Sequence, residues 1–116
     1  MGTRISVTSA GKGAFFDVED LIKHIASTGR DYIIQGQQKL SLADHTKPKS
    51  LDIWLRKQFQ NKQDIKLADK DVMRDLVNTG YFIELEDMRC PDSGRMCKGL
   101  KLTTSGLALG NALRTR

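Results

Sequence analysis

The sequence predicts an α+β domain of three or four helices, a C-terminal β-hairpin and a final helix. Three observations carry that prediction. An apolar helical stripe in residues 69–79 stops at Gly80, and an alternating segment follows at once, Tyr81-Phe82-Ile83-Glu84-Leu85-Glu86. A polar turn, Cys90-Pro91-Asp92-Ser93-Gly94-Arg95, separates that segment from a second strand. The second strand then runs through Leu102 into Thr103, a capping residue ahead of a Leu-rich stretch.

The elements follow in order. Residues 1–13 are small and polar and close on Gly11-Lys12-Gly13, so they are expected to form a flexible N-terminal arm ahead of a domain spanning residues 14–116. Asp17 is placed to cap a helix through Thr28, with Asp20 in the capping-box position and Gly29 as the stop. Val18, Leu21, Ile22 and Ile25 share one face of that helix. Asp31-Tyr32-Ile33-Ile34 is a short strand between two glycines. Residues 35–49 are ambiguous up to Pro48, which breaks what precedes it. Ser50 caps a helix to Phe59, with Leu51, Trp54, Leu55 and Phe59 on one stripe and Trp54 expected in the core.

After a polar connector, Asp69 caps the next helix, whose Met73, Leu76 and Val77 are expected to be buried. Strands 81–88 and 96–102 pair next. A two-residue turn at Ser93-Gly94 would set Cys90 opposite Cys97 and Glu86 opposite Lys101. Thr103 then opens a helix from Thr104 to Leu113.

Composition narrows the function. A chain of 116 residues makes one domain, and no apolar run approaches the roughly 18–20 residues of a membrane span. No apolar stretch near the start resembles a signal peptide, so a cytoplasmic location is expected. The net charge of +5 lies wholly in residues 88–116, where Arg89, Arg95, Lys98, Lys101, Arg114 and Arg116 face one acid, Asp92. A basic hairpin and tail on a neutral body suits a polyanion.

Catalysis is not expected. His24 and His45 have no nucleophile in sight, and the outward ones of Glu84, Glu86 and Asp87 on the first hairpin strand fit the solvent face of an amphipathic strand. Cys90 and Cys97 lack the further ligands that zinc needs, so neither a metal nor a cofactor is expected.

The order helix, short strand, helix, helix, strand, turn, strand, helix resembles the winged-helix (winged helix-turn-helix) superfamily, and is most similar to the MarR and PadR types of bacterial repressor. Three motifs carry the resemblance: Leu76-Val77-Asn78-Thr79-Gly80, Asp92-Ser93-Gly94-Arg95 and Leu102-Thr103-Thr104-Ser105-Gly106. It covers residues 50–113. It implies a duplex-DNA-binding transcriptional regulator, with recognition helix 69–79 in the major groove and wing 88–99 near the backbone.

On that helix Lys70, Arg74 and Asn78 recur at i, i+4 and i+8, roughly opposite Met73 and Val77. Arg and Asn suit bidentate contacts to guanine and adenine. Lys70 and the wing residues Arg89, Ser93, Arg95 and Lys98 suit phosphates, as do Lys47 and Lys49 ahead of the 50–59 helix. Asp69, Asp71 and Asp75 count against phosphate on the reading helix and favour the alternative, a winged-helix protein-interaction module. A second register would make Ser50–Phe59 the reading helix, with Arg56 and Lys57, but its dense apolar stripe suits a buried helix better. The first and last helices are candidates for a homodimer contact.

Overall fold

The computed structural model describes residues 3–7, 13–35, 50–59, 70–89 and 96–115. Along the chain these form β1 (Arg4–Ser6), β2 (Phe15–Asp17), α1 (Val18–Ser27), β3 (Tyr32–Ile34), α2 (Leu51–Gln58), α3 (Lys70–Asn78), β4 (Phe82–Arg89), β5 (Met96–Leu102) and α4 (Thr104–Arg114). The class is α+β, with four helices and two small antiparallel sheets among the described residues.

The expected arm is the first correction. Arg4–Ser6 pairs with β2, setting Ile5 opposite Phe16, and Ile5 and Val7 lie in the core at 4% and 0% exposure. Two apolar residues at spacing two suffice here because they share one face of a strand and land on Phe16. The β1 segment is also tied at its start. The Thr3 amide donates to both carboxylate oxygens of Glu19, and the Thr3 carbonyl accepts from the Val18 amide at 2.8 Å.

This pairing displaces the expected cap of α1. Asp17 ends β2 and makes no side-chain cap bond; its carboxylate lies 3.5 Å from Arg4 instead. The stop at Gly29 holds, and Val18, Leu21, Ile22 and Ile25 are all buried. Ser50 caps α2 as expected, its hydroxyl accepting from the Ile53 amide at 3.3 Å. Residues 51–55 of α2 are all buried, and Trp54 meets Phe16 edge-on with ring centroids 5.6 Å apart. That burial makes the first five residues of α2 core and leaves Arg56 half-buried and Lys57 exposed at its end. Asp52 is buried in its first turn, where free helix N–H groups favour negative charge.

The larger sheet runs β3-β5-β4, with β5 in the middle. Ile33 faces Leu100 across β3 and β5, and Phe82 faces Leu102 across β4 and β5. Its link to α2 is backbone: the Gln35 amide donates to the Lys98 carbonyl, and the Gln35 carbonyl accepts from the Asp52 amide.

The hairpin register is the second correction. Lys101 faces Ile83 rather than Glu86, and Cys97 faces Met88 rather than Cys90. Met96 opposes Arg89, which a Ser93-Gly94 two-residue turn does not permit. Between Leu85 and Met88 the register slips by a further residue, the mark of a bulge on β4. The turn, residues 90–95, lies outside the described residues.

Helix α3 buries Val72, Met73 and Leu76 and packs against β4 and β1. Gly80 stops it with φ at +85°, a conformation that a side chain would strain. Thr103 then ties α4 to this stop. Its hydroxyl accepts from the Gly106 amide at 3.2 Å and donates to the Gly80 carbonyl at 2.8 Å. Helix α4 lies on α1 at Gly110, where a Cβ would come within 3.1 Å of Ala26 Cβ.

Candidate functional site

Lys70, Met73, Arg74 and Val77 of α3 line one wall of an open groove of about 710 Å³. Glu84 and Glu86 of β4, Lys98 of β5 and Gln35 line the rest. The stop at Gly80 explains the placement. It ends α3 and starts β4 within a few residues, so the helix and the first hairpin strand enclose the space between them.

Of the sequence-predicted site residues, the structure brings together Lys70, Arg74 and Lys98. Asn78 is exposed on α3 but is not among the groove-lining residues. At about 100° per residue, each i+4 step turns the stripe by about 40°, and by Asn78 it has rotated out. Arg89 is placed by its backbone alone, at the end of β4 opposite Met96. Ser93, Arg95, Lys47 and Lys49 lie outside the described residues.

Met73 and Val77 are not opposite the basic stripe, as the spacing suggested, but line the same groove as Lys70 and Arg74. The basic stripe of α3 thus borders its core-facing side, where Met73 is buried and Val77 packs against the core. Arg74 reaches Asp71 at 3.5 Å, with both side chains well exposed at 69% and 77%. Such a pair is screened and leaves the guanidinium available. Lys70, Lys98, Glu84 and Glu86 make no ion pair with another described residue.

The sequence leaves open which of Glu84, Glu86 and Asp87 face outward; Glu84 and Glu86 are exposed and line the groove wall. Parity explains the face that Glu84 takes. The observed pairing of β4 with β5 differs from the expected one by three residues, an odd number, and an odd shift exchanges the two faces of a strand. Glu84 therefore shares a face with buried Leu100, while Ile83 turns outward at 47% exposure. One signal was present in the sequence: Phe82 directly after the helix stop needs the core, and Glu84 and Glu86 follow it at period two.

A second, smaller groove of about 370 Å³ shares none of these residues. Tyr32 and Asp31 line it from one side and Leu107, Asn111 and Arg114 of α4 from the other. Arg30 stacks over the Tyr32 ring, 5.6 Å from its centre. Among the described residues no three His, Cys, Asp or Glu side chains gather as metal ligands, and no helix is long and apolar enough to cross a membrane.

Comparison with protein-family models, with curated proteins and with solved structures finds no match to this chain.

Proposed function

We propose that this chain is a winged helix-turn-helix domain that binds duplex DNA as a transcriptional regulator. In this reading α3 enters the major groove and the β4–β5 hairpin is the wing. One observation carries it: Lys70 and Arg74 of α3 and Lys98 of the hairpin line a single groove. Helix and hairpin thus present cations to one partner from one side, as a rod of regularly spaced phosphates requires. The order of elements also agrees with the winged-helix resemblance. No aromatic side chain among the described residues lines the groove, which favours duplex over a stacked single strand.

The roles divide by chemistry. Arg74, with its planar donor fork, reads a base edge. Lys98 and Lys70 hold phosphates and fix position. A homodimer would bring two reading helices to a two-fold site. Helix α1 commits its apolar face to the core, so the exposed Leu107 of α4 and the smaller groove beside it are the surface left for that contact.

Titration of a labelled random duplex against the protein tests the reading. With roughly four phosphate contacts, affinity falls about a hundredfold between 50 and 200 mM salt. Lys98→Ala weakens binding to all sequences alike and lowers the salt slope by about 0.9. Arg74→Ala blurs preference at one base position. Affinity that ignores salt removes the reading.

A protein-docking module is the second reading. Glu84 and Glu86 in the groove favour it, because a folded partner offers both signs of charge and duplex DNA offers one.

A further inference from the structure

Glu84 and Glu86 stand where the DNA reading least wants them. The strip between a reading helix and a wing is where the sugar-phosphate backbone passes. Both carboxylates face that strip, across from Lys70 and Arg74 and beside Lys98. The strand is also turned against its own pattern: the charged residues line the groove, while Ile83 lies exposed on the other face. A local rule broken at a candidate site signals function more than packing. The bulge between Leu85 and Met88 falls beside Glu86, a device that re-aims side chains near sites.

We infer that Glu84 and Glu86 are the affinity-setting residues of the groove, holding a phosphate backbone off its floor so that only duplexes gaining base contacts from α3 are retained. This rests on the DNA reading and deepens it. Cations alone would grip any duplex. Two carboxylates subtract from that uniform term and leave base contacts untouched, so random duplex falls below the occupied range while a duplex with base contacts stays bound.

The test compares the wild-type chain with Glu84→Gln/Glu86→Gln on random duplex across a salt series. The double variant binds about tenfold more tightly at low salt, from two like-charge repulsions removed close to phosphate. That advantage shrinks as salt rises and the screening length falls to about 10 Å near 0.1 M. Asp17→Asn/Asp20→Asn makes the same change of net charge outside the groove and away from α3, and gains clearly less. Thermal unfolding of all three proteins shows that each is folded; Glu84, Glu86, Asp17 and Asp20 are not buried.

If the wild type binds and the groove variant binds equally or more weakly, the inference falls and the DNA reading stands. An equal gain from the outlying variant also overturns the inference, because net charge alone then accounts for it. If no folded variant binds duplex at any salt, the DNA reading falls and the inference with it.

Discussion

Thr103 shows how much one side chain can settle. Its hydroxyl serves twice, accepting from the first turn of α4 and donating to the carbonyl of the residue that ends α3. The end of one helix is thereby fixed against the start of another, 23 residues apart in sequence. Thr103→Ala loses both bonds and is expected to cost about 1–2 kcal/mol. Chemical denaturation reads this as a lower midpoint with unchanged slope, and Thr103→Ser restores most of it because serine keeps the hydroxyl. Thr79 repeats the motif on a smaller scale, donating to the Leu76 carbonyl at 2.6 Å and accepting from the Tyr81 amide at 3.2 Å. Together the two threonines hold the corner from which the candidate groove opens.

Among the elements, β1 carries the clearest energetic claim. Ile5 is 4% exposed and paired opposite Phe16, so it is core despite standing at the edge of a polar stretch. Ile5→Ala should cost about 2–5 kcal/mol, whereas a loose arm would tolerate it without change. Urea unfolding of the single variant decides. The same strand shows why sequence reading succeeded in some places and not in others. Helix α1 was legible because four apolar residues at helical spacing leave one way to bury them. Ser50 and Gly80 were legible because cap and stop chemistry is local. A three-residue strand is not local: its meaning lies in a partner about ten residues on. The hairpin register failed for a related reason, since the pairing of residues 82–85, beyond the slip between Leu85 and Met88, lies an odd number of residues from the expected one. Lys70, Arg74 and Lys98, which line one groove, could be singled out from charge and helix spacing. The acidic wall was missed because it depends on register.

At the scale of the whole molecule, charge and topology separate. The C-terminal quarter supplies the net +5, and it also supplies β5 and α4. Strand β5 lies between β3 and β4, so neither outer strand has a ladder partner in this sheet until β5 arrives. A chain that lacks β5 therefore leaves the amides and carbonyls of β3 and β4 without partners in this sheet and open to neighbouring chains. A chain halted at residue 95 keeps every residue of β3 and β4 yet has no sheet to place them in. Such a product is expected to sediment as aggregate on centrifugation, whereas a chain halted after residue 102 stays in the supernatant. Strand β5 thus acts as the keystone of the sheet: it follows both strands that it joins, and a chain lacking it is the form most exposed to misassembly.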